Sequence, residues 1–337
     1  YNMSDILETL IDGNDLSQQQ AQAFFQQMIT GNVAPELLAS VLTALKIKGE
    51  TATEIGGAAI AIRESATPFP TVSYPVTDCV GTGGDGANTI NISTTSAILA
   101  AACGLKMAKH GNRSVSSMSG SADLLEAFGA NLTMSPEVAA NCLNKTNFCF
   151  LYAPAYHAGF KHAAPVRKAM GVRTMFNILG PLVNPASPKT MLLGVYTPSL
   201  LETMASALKI TGVEKAWVVH GSGLDEIALH GTTQIVAIEK GKLVNKTISP
   251  SDFGLEQATL DDIKGGTPEE NASIIKAILQ GKGELAHNNA VIINTTALLY
   301  LHNKADSLIA CAELAKSTLQ SGAGFNTLMQ FVELSKG

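Results

Sequence analysis

Gly81, Gly83 and Gly86 in GTGGDG fit the spacing G-x-G-x-x-G, and a helix pattern opens near Ser93 in the following stretch TINISTTSAILAAACG. Glycines so spaced let backbone close around phosphate oxygens. The first N–H groups of a helix favour an anion through their free donors and the macrodipole. A nicotinamide site would place an Asp or Glu about 20 residues further on, for the ribose. This chain has Lys106, Lys109 and His110 there, and the loop also lacks G-x-x-x-x-G-K-[ST]. What remains is a phosphate site of another kind. Ser93, with Thr94, would face whatever the loop surrounds, although a serine at a helix start is equally an ordinary N-cap.

A second loop, KHGNRSVSSMSGSADLLEAFG, supplies Lys109, His110, Asn112, Arg113, Ser114, Ser116, Ser117, Ser119 and Ser121. Hydroxyls, amides and cations so concentrated suit a ligand with several phosphate oxygens. In VVHGSGLDEIALHG, Asp225 and Glu226 follow a strand pattern and two glycines. Adjacent carboxylates beside a phosphate site suit Mg2+, which takes oxygen ligands and keeps several waters. Arg167 and Arg173 follow in a segment with His157 and His162; Arg167, just past Pro165, could grip a carboxylate bidentately. The two histidines are five residues apart, which does not put two ligands on one helix face, so the segment does not read as a zinc site.

These residues need elements to hold them. The first seventy residues punctuate as helices, with capping boxes at Ser17/Gln20 and Thr51/Glu54, Pro35 at a helix start, and Gly31 and Gly49 at helix ends. Gly56 and Gly57 inside the last of these helices predict a close helix approach, such as a subunit contact. TPFPTVSYP, from Thr67 to Pro75, reads as an extended linker. Beyond it, VTDCV, LKMAK, FCFLYA, MLLGVY and AWVVHG alternate with helical stretches, which implies a parallel sheet covered on both faces. Both polar loops then lie at carboxyl ends of strands, where such sheets bind ligands. TTQIVAIEKGKLVNKTI reads as two strands joined by a turn at Lys240 to Lys242, and the tail after Gly266 is helical. GGTPEENASII is a helix start with a Thr267/Glu270 capping box and carries no assigned chemistry.

At 337 residues and 46% hydrophobic content, the chain can bury a sizeable core. A net charge of −5 and pI near 5.8 give no global field for nucleic acid or an anionic membrane. The five cysteines are odd in number and lack C-x-x-C spacing, so reduced, buried thiols are expected. No apolar run reaches the ~18 residues of a membrane span. With no basic-then-apolar start, the expected location is the cytoplasm; Met3 behind Tyr1 and Asn2 reads as the natural start with two residues carried over from expression.

Taken in order, GTGGDGANTINIST, KHGNRSVSS, GSADLLEAFG, MFNILGPLVNP and GLDE closely resemble the anthranilate phosphoribosyltransferase family, and the resemblance spans nearly the whole chain. It implies an α/β fold of the nucleoside phosphorylase/phosphoribosyltransferase kind. A small all-helical domain (1–72) would adjoin a larger domain (73–162 and 189–337) with a central, mainly parallel sheet flanked by helices. The chain would return to the helical domain near 163–188. The implied reaction moves the phosphoribosyl group of 5-phosphoribosyl 1-diphosphate (PRPP) to anthranilate, the second committed step of tryptophan biosynthesis, with Mg2+. A homodimer through the helical domain is implied, and an amidotransferase (anthranilate synthase) subunit is a further candidate partner.

Carried over by motif, Gly81, Gly84, Asp85 and Thr89 would line the PRPP site, with Asn91, Ser93 and Thr94 at its pyrophosphate side. Lys109, Gly111, Asn112, Arg113, Ser114, Ser116, Ser117 and Ser121 would hold phosphate and ribose. Ser93, Asp225 and Glu226 would bind Mg2+ and, with Lys109, carry catalysis; Gly81, His110, Asn112 and Arg167 would orient anthranilate. Val115, Ile227 and Ala228 depart from the family pattern and touch no proposed ligand atom. Two rivals differ in test: a pyrimidine nucleoside phosphorylase would release base with inorganic phosphate, and a non-catalytic relative would bind single-stranded nucleic acid with steep salt dependence. FNILGPLVNP and GLDE fit the first poorly, and the acidic balance opposes the second.

Overall fold

The computed structural model describes residues 2–114 and 119–337. Helix signals at the start of the chain hold: α1 (Met3–Ile11), α2 (Gln18–Ile29), α3 (Pro35–Lys48) and α4 (Ala52–Glu64). Ser17/Gln20 and Thr51/Glu54 form reciprocal capping boxes, and Gly49 ends α3 at φ 93°. Such a cap stabilises by about 1 kcal/mol. Glu54 does more than cap: fully buried, it accepts from the Leu16 amide and pairs with Lys48, each at 2.8 Å. Gly56 and Gly57 do permit a close approach, but within the chain rather than between subunits. A Cβ at Gly56 would lie 2.6 Å from Ile210, and one at Gly57 2.6 Å from the Gln18 carbonyl.

The remainder alternates as expected: β1 (Thr77–Gly81), α5 (Ile92–Ala102), β2 (Met107–Gly111), α6 (Ser121–Ala127), α7 (Pro136–Thr146), β3 (Phe148–Tyr152) and α8 (Ala153–Tyr156). Then come α9 (Ala164–Met170), α10 (Phe176–Leu179), β4 (Thr190–Gly194), α11 (Leu201–Ile210), β5 (Lys215–His220), β6 (Thr233–Glu239) and β7 (Lys242–Ile248). Helices α12 (Pro268–Leu279), α13 (Leu285–Leu301), α14 (Leu308–Gln320) and α15 (Ala323–Ser335) close the chain. The sheet runs β3-β2-β1-β4-β5-β6-β7, parallel from β3 to β5 and antiparallel beyond. The β6–β7 turn has positive φ at both Lys240 and Gly241, the geometry that matches strand twist in a two-residue hairpin.

Period-two alternation divides the sheet between two cores. Leu192, Trp217, Val219, Ile235 and Ala237 point to one face, covered by α5, α7 and α12 to α15. Met191, Leu193, Ala216, Val218, Val236 and Ile238 point to the other, where they join α1 to α4, Ala163 to Val183, and α11. The amino-terminal helices therefore share a core with the sheet. None of the described helices is long and apolar enough to cross a membrane.

Candidate active site

Strand order reverses between β1 and β4, and the sheet's ligand crevice is expected at that switch. Gly81 and Gly194 end these strands as register partners. Neither position has room for a side chain: a Cβ would lie 2.3 Å from Asp225 Oδ2 at Gly81 and 1.6 Å from the Asp225 carbonyl at Gly194. The two glycines thus let the acidic segment after β5 lie across the strand ends. In the glycine loop, Gly83, Gly84 and Gly86 all have φ near +70°, conformations a side chain would strain.

The glycine loop and the acidic segment clasp each other. Gly83 N–H donates to Asp225 Oδ2 at 2.8 Å, and Asp225 N–H donates to Asp85 Oδ2 at 3.1 Å. Burial first, then the neighbouring Asp85 carboxyl, pushes the Asp225 pKa up, and burial pushes Glu226 well above the carboxylate range. Glu226 Oε2 and Asn91 Oδ1 are buried acceptors with no hydrogen-bond partner among the described residues. An acidic cluster with unfilled acceptors fits a cation. No group of three or more His, Cys, Asp or Glu among the described residues could hold a metal. Two adjacent carboxylates suit an ion that keeps water and ligand oxygens in its shell, as Mg2+ does.

Helix α5 begins two residues earlier than a Ser93 cap would require. Asn91 is its N-cap, without a side-chain cap bond, and Asn91 Nδ2 donates to the Ser119 carbonyl at 2.9 Å, linking the two loops. Ser93 lies in the first turn, its hydroxyl against the Cys79 thiol, and Thr94 is buried behind it. Thr89 bridges to Lys264, which ties the far end of the glycine loop to the GGTPEE segment. Lys109 is buried, with Nζ donating to the Cys79 carbonyl at 2.7 Å, and its charge offsets only part of the rise that burial and the neighbouring carboxyls impose on Glu226.

After β2, Gly111 is crowded by Ser121, whose hydroxyl donates to the Asn112 carbonyl at 3.3 Å. Arg113 is directed away from the glycine loop: its guanidinium meets Glu126 Oε1 and Oε2 at 2.7 and 2.8 Å, and its Nε reaches Tyr152 Oη. A carboxylate offering two acceptors satisfies the fork in this arrangement. Ser116 and Ser117 lie outside the described residues. Asp123, unforeseen from sequence, accepts from both Ser114 N and Gly120 N at 2.9 Å. Its position early in α6, behind a glycine cap, was the available signal.

The returning segment brings up a second wall. His110 Nδ1 is 3.1 Å from the Gly180 carbonyl, and its ring meets His157 edge-on at 5.2 Å. Burial lowers His110 to about 3 and His157 to about 4, so both are neutral near pH 7. From His157 the contacts continue through Phe160 to Phe176, over which the exposed Arg167 lies at 5.6 Å. Arg173 Nη2 donates to the Gly84 carbonyl at 2.6 Å, and its guanidinium stacks 3.9 Å from the centre of the Tyr196 ring. His157 and Arg173 were visible as residue types, but only the fold gives them these neighbours.

A helical layer packed on a sheet whose strand ends gather a glycine loop, a buried lysine and an acidic pair defines a two-layer glycosyl transferase. Residues 4–66 match the helical bundle domain of the glycosyl transferase family, and residues 73–325 match its a/b domain. The anthranilate phosphoribosyltransferase of Colwellia psychrerythraea is 69% identical over 335 residues, covering 99% of this chain and 92% of that protein. The crystal structure of the Thermus thermophilus enzyme superposes with a TM-score of 0.94 at 40% identity, covering 99% of this chain and all of that one. The Saccharomyces cerevisiae enzyme in complex with PRPP and Mg gives 0.90 at 29% identity, over 99% and 98% of the two chains. This chain belongs to the anthranilate phosphoribosyltransferases.

Proposed function

We propose that this chain transfers the 5-phosphoribosyl group of PRPP to the amine of anthranilate, giving N-(5-phosphoribosyl)anthranilate and pyrophosphate in tryptophan biosynthesis. The observation that carries the reading is the Gly83–Asp225–Asp85 clasp, which joins a phosphate-type loop to an acidic pair with an unfilled acceptor. In it, Gly81, Gly84, Asp85, Thr89, Asn91, Ser93 and Thr94 receive PRPP from the β1 side. Lys109, Gly111, Asn112, Ser114, Ser116, Ser117 and Ser121 receive it from the β2 side, and Arg113 braces the loop through Glu126.

Breaking the bond from ribose C1 to pyrophosphate builds negative charge on the leaving group. Helix and loop N–H groups aimed at that charge, with Lys109, stabilise it without reorganising. Asp225, Glu226 and Ser93 would hold Mg2+, which would supply charge neutralisation for the leaving group. The aromatic amine of anthranilate is already neutral at pH 7 and attacks C1 without a strong general base. The neutral His110 and His157 suit an aromatic acceptor, whose carboxylate Arg167 would pair with.

Lys109, Ser93, Asp225 and Glu226 are therefore the groups assigned to catalysis, and Gly81, His110, Asn112 and Arg167 those that orient anthranilate. We further place the enzyme in the cytoplasm as a homodimer through the helical layer. Exposed Ile11 and Ile47, at the ends of α1 and α3, and reduced cysteines support this. The deciding experiment follows anthranilate fluorescence with PRPP and Mg2+, omitting each component in turn. Loss of signal only in the complete mixture, with phosphoribosylanthranilate formed, supports the reading; persistence of anthranilate with folded protein overturns it.

A further inference from the structure

Strands β1 and β2 are neighbours that stop pairing early. Between β1 and β4 every residue from Thr77 to Gly81 has a register partner, whereas β1 and β2 are paired only at Thr77 and Met107. A parallel ladder continued by one rung would join Cys79 N–H to the Ala108 carbonyl and His110 N–H to the Cys79 carbonyl. All four groups are instead taken by buried side chains. Cys79 N–H donates to Asp78 Oδ1 at 2.8 Å, and the His110 backbone hydrogen-bonds the same carboxyl. The Ala108 carbonyl accepts from Asn184 Nδ2 at 2.9 Å, and the Cys79 carbonyl accepts from Lys109 Nζ at 2.7 Å. Asn184 Nδ2 also donates to Asp78 Oδ2 at 2.9 Å, closing the knot.

Asp78, Asn184 and Lys109 are 0%, 2% and 3% exposed. Burying a carboxylate and an ammonium away from water is costly unless each finds partners and counter-charge. Here the cost has a geometric return, because the glycine loop leaves the end of β1 and the serine loop leaves the end of β2. We propose that Asp78 and Asn184 are positioning residues of the transferase, holding β1 and β2 one rung apart and fixing Lys109 between the two PRPP loops. Asn184 also ties the returning segment to the sheet at its re-entry, through Asp78 and the Ala108 carbonyl.

The proposal rests on the transferase reading and is tested by a double-mutant cycle on Lys109, read as PRPP dissociation constants with Mg2+ and as the Michaelis constants of both substrates. Asp78→Asn should weaken PRPP by about tenfold, with the anthranilate KM within about twofold, and should cost less than about twofold when made in Lys109→Met. If Asp78→Asn does not accumulate as folded protein, Asn184→Ala, which leaves the carboxylate in place, enters the same cycle. Equal losses in both Lys109 backgrounds, or unaltered PRPP binding, overturn the positioning role. So does failure of both variants to fold while Lys109→Met folds, since the knot is then purely structural. Absence of PRPP binding by the unaltered chain overturns the transferase reading itself and this one with it.

Discussion

The Gly83 amide donates to Asp225 Oδ2 at 2.8 Å, across 142 residues of sequence. That bond joins a loop shaped for phosphate to a carboxylate that burial and Asp85 hold at a raised pKa. The pair Asp225→Asn with Glu226→Gln should lower Mg2+-dependent kcat by roughly 10²- to 10³-fold, the usual loss when stabilisation of a developing charge is removed. Circular dichroism should be unaltered. Full turnover in the folded double variant would sink the metal assignment.

Gly194→Ala tests the crossing of the acidic segment over the strand ends. Its Cβ would fall 1.6 Å from the Asp225 carbonyl, a backbone atom, so the segment must shift rather than a side-chain tip. Overpacking of this kind costs roughly 1–3 kcal/mol. Denaturant unfolding should show that loss, and the Mg2+ concentration for half-maximal rate should rise. Parental values for both would show that the segment does not need the glycine.

Arg167→Ala should act on the acceptor. A charged hydrogen bond to a carboxylate contributes about 1.5–3 kcal/mol, so the anthranilate KM should rise roughly 10- to 150-fold with the PRPP KM near its parental value. Unchanged anthranilate saturation would count against this arginine.

Arg173 should act on the donor instead, through the Gly84 carbonyl and the Tyr196 ring. Stacking and a partly solvated hydrogen bond contribute on the order of 1 kcal/mol together, so Arg173→Ala should raise the PRPP KM about fivefold. Tyr196→Phe keeps the ring and should resemble the parent. A PRPP KM unmoved by Arg173→Ala would detach this residue from the loop.

Acid stability reports on His157. Burial lowers its folded pKa to about 4 from the ordinary histidine value of 6.5. Between those values the unfolded chain binds a proton that the native state refuses, so the contribution is full above 6.5 and is lost as pH falls through about 4. Compared with His157→Phe, which keeps an edge-on ring beside His110, the parent should lose on the order of 3 kcal/mol more across that window. Parallel stability–pH curves would mean that His157 is not held neutral.

The sequence by itself determined whatever local chemistry dictates. The caps at Ser17 and Thr51, the β6–β7 turn and the strand–helix alternation are rules read within a few residues. The loop glycines and the Asp225–Glu226 pair were equally legible, since their types and spacing carry the meaning. Only the tertiary structure decided where those groups meet. Gly56 and Gly57 announce a close approach, yet packing alone shows that Ile210 and Gln18 are what approach. Arg113 has the chemistry of a phosphate ligand, and the placement of α6 gives it to Glu126. The splay of β1 from β2 depends on three side chains supplied from positions 78, 109 and 184. No local pattern encodes that knot, because its hydrogen bonds replace ladder bonds that the same strands would otherwise have formed.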